Sequence, residues 1–159
     1  TQIRKADKPL GDIKESLNEE QILTVYLNAL TQVPGTQAAA YSLQSIREEW
    51  PSGALTASRV FNSLPWTTPL VQLTLTPGQL GSLGKFNGMI VLKQTSAPAG
   101  QPITVTTSKF FASLLAQELG LAPDAIRDAG VGSEFDYFVK YLAQAPRPLP
   151  QDVPGGWTK

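Results

Sequence analysis

Apolar residues between positions 22 and 30 recur every three to four residues, which is the period of an amphipathic helix. Ser16 and Glu19 precede this run with the spacing of a capping box, in which two side chains satisfy free backbone N–H groups. Pro34 and Gly35 interrupt the pattern, and both residue types commonly follow the end of a helix. The pattern therefore predicts a first helix that begins at Ser16 and ends before Pro34.

Two more helices are predicted before the periodicity changes. The second begins at Thr36, turns an apolar face inward and ends at Trp50, which precedes a proline. A short third helix covers residues 56–64. The first two helices are expected to pack antiparallel across the tight turn that joins them.

The middle of the chain has the alternating periodicity of strands. Residues 70–76 read Leu-Val-Gln-Leu-Thr-Leu-Thr, with apolar and polar positions in turn. Two further strands are predicted at residues 86–95 and 102–107, with loops at 77–84 and 97–101. Together these elements predict an antiparallel sheet of three or more strands.

Helical periodicity returns at Ser108 and continues to Gly120. A short helix is predicted from Pro123, and a last helix from Ser133 to Gln144. Six aromatic residues occupy inward positions and are expected in the core: Tyr26, Tyr41, Phe110, Phe111, Phe135 and Phe138. The predicted fold class is thus α+β, an antiparallel sheet flanked by N-terminal and C-terminal helices.

Composition divides the chain into three regions. Residues 1–14 are polar and predict a lead-in or tether, and residues 15–145 predict a single α+β domain. Residues 146–159 contain repeated prolines, which are typical of an extended, polyproline-like tail.

Charge is unevenly distributed, although the net charge is zero. No acidic residue lies between Glu49 and Glu118, and this stretch carries four cations: Arg59, Lys85, Lys93 and Lys109. The stretch is either a surface that contacts a partner or a β region that needs few charges. Trp66 lies within it between two prolines, and a large aromatic residue on a rigid loop is typical of a contact residue. We therefore predict Trp66 and the four cations as partner contacts.

The chain contains no histidine and no cysteine. Their absence excludes Ser-His-Asp and Cys-His triads as well as thiolate zinc sites. Ser82 and Lys85 have the S-x-x-K spacing of a Ser–Lys pair, but the flanking glycines disfavour the helix that would bring them together. The sequence predicts no catalytic, cofactor-binding or metal-binding residue.

Acidic residues near the C-terminal end form the remaining catalytic candidate: Asp124, Asp128, Glu134 and Asp136. The first two are four positions apart, so on a helix they would share one face. Such a cluster could hold calcium or magnesium, or supply the acid and the base of a glycan hydrolase. Arg127 lies among them, which also fits an ordinary solvated face.

Residues 114–129 have the pattern of two helices joined by a glycine turn. Ala116 lies within the first helix and Gly120 at the turn, with apolar residues on both sides. The segment resembles the helix-turn-helix family over about twenty residues, and the resemblance implies a second helix that reads the major groove of DNA. Asp124 and Asp128 would repel the phosphates, so ordinary helix packing through a glycine turn is the alternative.

These observations favour a non-enzymatic binding or assembly domain that uses no cofactor. Charged residues are 16% of the chain, below the usual share of about 25%. With the absence of cysteine, this predicts an extracytoplasmic location, periplasmic or on the cell surface, in a bacterial envelope, surface or secretion apparatus. The expected partner is a protein or a second copy of the chain, which adds to a charge-poor sheet edge.

Binding of nucleic acid is not expected, and membrane contact is expected only through an N-terminal anchor that has been removed. Two alternatives remain open. The first is a helix-turn-helix DNA-binding protein that uses residues 114–129. The second is a carboxylate-based glycan hydrolase.

Overall fold

The computed structural model describes residues 9–82, 91–95, 100–144 and 157–158, and within them eight strands and five α-helices are present. The strands are β1 (Pro9–Ile13), β2 (Ala38–Tyr41), β3 (Gly53–Thr56), β4 (Pro69–Leu75), β5 (Val91–Gln94), β6 (Ile103–Ser108), β7 (Arg127–Ser133) and β8 (Trp157–Thr158). The helices are α1 (Glu19–Thr31), α2 (Ala57–Ser63), α3 (Pro77–Gly81), α4 (Lys109–Leu119) and α5 (Glu134–Ala143). Short 3₁₀ turns occupy Leu43–Ser45 and Pro123–Ala125.

The strands form two sheets. The larger sheet has five strands in the order β5-β2-β6-β4-β7. Strands β2 and β6 are parallel, and the other neighbours are antiparallel. The smaller sheet has three antiparallel strands in the order β3-β1-β8. The predicted α+β class is confirmed, and the parallel pair β2–β6 is a feature that the sequence pattern does not predict.

Helix α1 begins later than the sequence pattern predicts. Asn18 is its N-cap and forms a capping box with Gln21. Leu17 is held in extended conformation by Trp50, because the N–H of each donates to the carbonyl of the other at 2.8 and 3.0 Å. This bridge keeps residue 17 outside the helix, so the predicted start at Ser16 is wrong.

The predicted helix at residues 36–50 is also wrong, because Ala38–Tyr41 forms strand β2 inside the larger sheet. Alanine favours a helix in isolation. Here the backbone pairs with β5 on one side and with β6 on the other, and all four side chains are buried. Tertiary pairing therefore outweighs local propensity, and one 3₁₀ turn at Leu43–Ser45 is the helical part of the described segment.

Most other predicted elements are confirmed. Elements α2, β4, β6, α4 and α5 lie where the periodicity predicts them, and β5 is the described part of the predicted strand at residues 86–95. Residues 83–90 lie outside the described residues. Helix α3 occupies the predicted loop at 77–84, because Thr76 and Gln79 form a capping box around Pro77 at the first turn.

The helix-turn-helix prediction is wrong. Helix α4 does end at Gly120, which adopts the left-handed conformation with φ of 69°. The chain then makes one 3₁₀ turn and enters β7, where Arg127 and Asp128 pair with β4. The segment that would form the recognition helix is thus a strand of the larger sheet.

The predicted division of the chain into lead-in, domain and tail stays a prediction. Residues 9–13, within the predicted lead-in, form β1 and bury Ile13. Residues 145–156 lie outside the described residues, and the backbone of β8 pairs with β1. No helix in the described ranges is long and apolar enough to cross a membrane.

Aromatic rings join α1, β2 and α5 in the core. The ring of Tyr26 stacks on Tyr41 with centroids 4.6 Å apart and meets Phe138 edge-on at 4.8 Å. Trp50 stacks against Phe138 at 5.9 Å, and its indole N–H donates to the hydroxyl of Ser63 at 2.8 Å. These buried rings hold together the elements from which the site described next is built.

Candidate ligand-binding site

A cavity of about 750 Å³ opens at one end of the larger sheet. Strands β2 and β6 are parallel, so both end at this edge, while antiparallel β4 begins there. The wall consists of residues from the end of β2 and the following turn (41–47), the loop before β4 (66–68) and the start of α4 (108–113). Glu134, the first residue of α5, completes it.

Trp66 is fixed in this wall by backbone and side-chain hydrogen bonds. The first N–H groups of a helix have no partner within the helix. In α5, the N–H of Phe135 donates to the carbonyl of Trp66 and that of Glu134 to the carbonyl of Thr68, both at 3.0 Å. The indole N–H of Trp66 donates to the carbonyl of Ser45 at 3.3 Å. The loop thus caps the helix, and the indole ring is held against the turn after β2.

Two cations border the cavity. The guanidinium carbon of Arg47 lies 5.3 Å from the centroid of the Trp66 ring, a cation–π distance. Lys109 also belongs to the wall, and both side chains are exposed. Because exposed cations attract anions, an anionic group of a ligand is favoured at this rim.

Phe110 is 71% exposed and forms part of the cavity wall. Helix α4 buries Phe111 and Leu115, so the neighbouring position points away from the core. The prediction that Phe110 belongs to the core is therefore wrong, whereas Tyr26, Tyr41, Phe111 and Phe138 are buried as predicted. Water exposure of so large an apolar ring is unfavourable, and a ligand that covers it would relieve that cost.

Glu134 belongs to the cavity wall and is buried, with 3% of its surface exposed. Its Oε1 accepts a hydrogen bond from the Tyr26 hydroxyl at 2.9 Å, and its Oε2 accepts one from Thr68 Oγ1 at 3.4 Å. The Tyr41 hydroxyl also interacts with this carboxyl. Burial raises the pKa of Glu134 to about 7, although the three hydroxyls oppose that shift.

The two tyrosines remain protonated. Burial, followed by the nearby charge of Glu134, raises the pKa of Tyr26 and of Tyr41 well above the ordinary tyrosine value. Both hydroxyls therefore keep their protons throughout the physiological range.

The acidic residues considered as the remaining catalytic candidate do not form one cluster. Asp124, Asp128 and Asp136 are exposed, whereas Glu134 is buried in the cavity wall. Asp128 lies on a strand, where its Oδ1 accepts the N–H of Gly130 at 2.7 Å. Among the described residues, no group of three or more His, Cys, Asp or Glu side chains could hold a metal ion. The hydrolase prediction built on this cluster is wrong.

The predicted partner contacts have different surroundings in the structure. Trp66 and Lys109 lie in the cavity wall. Arg59 forms an ion pair with Glu48 at 3.5 Å, and Lys93 donates to the side chain of Asn28 at 3.3 Å.

Lys85 lies outside the described residues, so neither its predicted contact nor its pairing with Ser82 is described. Contact of these residues with a partner stays a prediction.

The sequence carries a signal for the placement of two site residues, Phe110 and Glu134, that hydrophobic periodicity does not show. Phe110 and Phe111 are adjacent at the start of a helix, so one ring must point away from a face that buries the other. Glu134 directly follows Ser133, the N-cap of α5, and is acidic at a helix start. That position explains a carboxylate there, but its burial depends on Tyr26, which is distant in the sequence.

Solved structures of nucleotidases share this fold. The 5'-nucleotidase precursor from Thermus thermophilus superposes with a TM-score of 0.69 and 18% identity, over 89% of this chain and 37% of that protein. The 5'-nucleotidase from Candida albicans gives 0.68 and 10%, over 90% and 41%. The NAD nucleotidase of Haemophilus influenzae gives 0.66 and 10%, over 89% and 36%.

This likeness shows the fold alone, because the sequence identities are low. The chain spans less than half the length of each of these nucleotidases. No family model and no curated protein sequence matches it. The Thermus protein is described as a precursor.

The functional predictions from the sequence are corrected by these structures. The proteins that share the fold are enzymes and not components of an assembly or secretion apparatus. The prediction of a non-enzymatic assembly domain is therefore wrong, and so are its DNA-binding and glycan-hydrolase alternatives. The absence of familiar catalytic groups does not by itself exclude an enzyme, because one part of an enzyme can bind a substrate without carrying the groups that react.

Proposed function

We propose that this chain is the nucleoside-binding part of a nucleotide-hydrolysing enzyme. The observation that carries the proposal is the cavity at the sheet end, in which Trp66 is fixed by hydrogen bonds and Phe110 is exposed. Concave sites lined by aromatic groups with a few polar groups are typical of small-molecule binding. The fold likeness to nucleotidases supports a nucleotide as that molecule.

The aromatic rings suit the nucleobase. A base presents a flat π-face, and stacking on an aromatic side chain contributes about 1–3 kcal/mol per base. Trp66 is preorganised for this contact, because its indole N–H and its backbone carbonyl are both hydrogen-bonded. Less conformational freedom is then lost when a ligand binds.

The rim suits the phosphate. Arg47 and Lys109 are exposed at the cavity, and no acidic residue other than Glu134 is part of its described wall. A phosphate that stays at the rim remains partly hydrated and near both cations, while the base enters the cavity. In this proposal the chain binds the nucleotide, and none of its residues is assigned to the step that breaks the phosphate bond.

We also propose that the enzyme works in the periplasm or on the cell surface. The absence of cysteine and the small proportion of charged residues support this location. The description of the Thermus protein as a precursor is consistent with it.

Titration calorimetry with adenosine monophosphate tests the proposed function. Phe110→Ala removes an exposed ring from the wall, and we expect its Kd to rise roughly five- to 150-fold, which corresponds to about 1–3 kcal/mol. Phe61→Ala is the matched control, because Phe61 is 41% exposed but packs against Phe135 outside the cavity wall. If neither adenosine nor guanosine monophosphate binds the unaltered protein, the proposed function is wrong.

A further inference from the structure

The two oxygens of the Glu134 carboxyl have unequal partners. Oε1 is bonded at 2.9 Å to Tyr26, which is fully buried and not part of the cavity wall. Oε2 is bonded to Thr68 Oγ1 at 3.4 Å, near the outer limit for a hydrogen bond. Thr68 and Glu134 both belong to the cavity wall, whereas Tyr26 does not.

A carboxylate has more acceptor capacity than this arrangement uses. Two ionised oxygens together offer about four lone-pair positions. Tyr26 and Thr68 each donate to one of these positions, and the bond from Thr68 is long. The Tyr41 hydroxyl also interacts with the carboxyl. Because a buried charge is costly unless its hydrogen bonds are made, a further donor at Oε2 would be strongly favoured.

The position of Glu134 indicates which part of a nucleotide supplies that donor. The cations Arg47 and Lys109 are exposed at the rim, whereas Glu134 is 3% exposed. A nucleotide with its phosphate at the rim places its base innermost, beside Glu134 and the aromatic wall. Exocyclic amino groups and ring N–H groups are the donors that a base carries.

We infer that Glu134 accepts a hydrogen bond from an exocyclic amino group of the bound base and so selects bases that carry a donor at that position. This inference rests on the proposed function. It names Glu134 as a specificity-determining residue, held in place by Tyr26 and aimed at the ligand through Oε2.

The inference also makes binding pH-dependent. The hydroxyls of Tyr26 on α1, Tyr41 on β2 and Thr68 before β4 all lower the pKa of the carboxyl. The cations Arg47 and Lys109 belong to the same cavity wall. A donor from the base favours the ionised carboxylate over the protonated form. Because the pKa of Glu134 is raised to about 7, the ionised fraction falls about tenfold from pH 8 to pH 6. Affinity for a donor-bearing base is expected to fall by up to the same factor.

Two ligand pairs that differ by one amino group test the inference. They are adenosine against purine riboside, and guanosine against inosine, all as 5'-monophosphates. We expect the unaltered protein to bind the amino-bearing member at least about tenfold more tightly in one pair, since hydrogen bonds to charged groups are strong. Glu134→Gln is expected to lose that preference and the dependence of Kd on pH.

Asp136→Asn is the matched control, because Asp136 is an exposed acid in the first turn of the same helix. It should keep both the preference and the pH profile. Tyr26→Phe gives a second readout that does not depend on affinity alone. Loss of its donor disfavours the carboxylate, so the midpoint of the pH profile should move to higher pH.

The outcomes separate the inference from the proposed function. If nucleotides bind but neither pair is discriminated, or if Glu134→Gln discriminates as the unaltered protein does, the inference is wrong and the proposed function stands. If no nucleotide of either pair binds, the proposed function itself fails. A preference that disappears in Glu134→Gln and persists in Asp136→Asn supports both.

Discussion

Two groups of aromatic residues meet at Tyr41 and differ in what surrounds them. On one side, Tyr26, Trp50 and Phe138 are at most 1% exposed and stack among helices and strands. On the other side, Trp66 is half-buried and Phe110 is 71% exposed at the cavity. The first group contributes to stability by its burial. The second is available to a ligand.

Aromatic residues therefore occur both in the core and in the site, and their presence alone does not distinguish the two. The core rings are packed by residues from several elements, and truncation of one leaves a void that the surroundings fill only in part. The cavity rings have free surface, so their truncation removes little packing. Stability and binding are therefore expected to respond to different substitutions.

The largest effect is expected from Phe138→Ala. Phe138 is fully buried between Tyr26 and Trp50, and phenylalanine-to-alanine changes in cores cost about 3–5 kcal/mol. Urea unfolding followed by circular dichroism measures the change. Phe61→Ala, at an exposed ring, serves as the control. A loss below about 1 kcal/mol for Phe138→Ala would contradict the assignment of this ring to the core.

The next effect concerns Glu134, which links the two groups. Its pKa is raised from 4.5 to about 7 in the folded protein, so the folded state holds the proton more tightly than the unfolded state. The stability that protonation contributes is complete below about pH 4.5 and is lost as the pH rises through about 7. The loss is on the order of 3 kcal/mol.

Glu134→Gln removes this titration. Urea unfolding at several pH values between 4 and 8 should therefore show the unaltered protein losing stability relative to Glu134→Gln as the pH rises. The stability of Asp136→Asn should change with pH as that of the unaltered protein does, because the Asp136 carboxyl is exposed. If the stability of all three proteins changes with pH in the same way, Glu134 is not a buried carboxyl with a raised pKa.

A smaller effect is expected from Ser63→Ala. The Ser63 hydroxyl accepts the indole N–H of Trp50 at 2.8 Å and donates to the carbonyl of Glu48 at 2.9 Å. Its loss leaves a buried N–H without a partner, which costs about 1–3 kcal/mol. Thermal or urea unfolding measures this, with Ser113→Ala at an exposed position as the control. Equal stability of the two variants would show that the Trp50 bond contributes nothing.

The smallest effect on stability is expected from Phe110→Ala. Because the ring is 71% exposed, its removal should change the free energy of unfolding by no more than about 0.5 kcal/mol. The same variant is expected to bind nucleotide weakly. A large loss of stability would show that Phe110 belongs to the buried group, and the two aromatic groups would then not differ in their effect on stability.

The hydrophobic pattern of the sequence predicts the helices and strands that have one buried face and one exposed face. Strand β4 alternates because one row of its side chains is buried, and helix α5 repeats Phe138 and Leu142 toward the core. Gly120 ends α4 because its left-handed conformation disfavours other residues. Each of these features depends on neighbours in the sequence and can therefore be predicted from it.

Long-range pairing decides the elements that the pattern does not predict. Ala38–Tyr41 becomes a strand because β5 and β6 pair with it, and Arg127–Ser133 because β4 does. The site has the same origin, since Tyr26 and Glu134 are 108 residues apart in the sequence and 2.9 Å apart in the fold. Sequence reasoning identifies two site residues, Trp66 and Lys109. Prolines on both sides of Trp66 mark its loop as rigid, and Lys109 lies in the stretch without acidic residues.

The most direct test of nucleotide binding in this cavity compares two tryptophans by NMR. The indole N–H of Trp66 lies at the cavity wall, whereas that of Trp50 is buried against Ser63. Titration with adenosine monophosphate is expected to shift the Trp66 indole resonance in a saturable manner and to leave that of Trp50 in place. If both resonances stay unchanged at saturating nucleotide, or if the Trp50 resonance alone moves, the cavity does not bind the nucleoside and the account is contradicted.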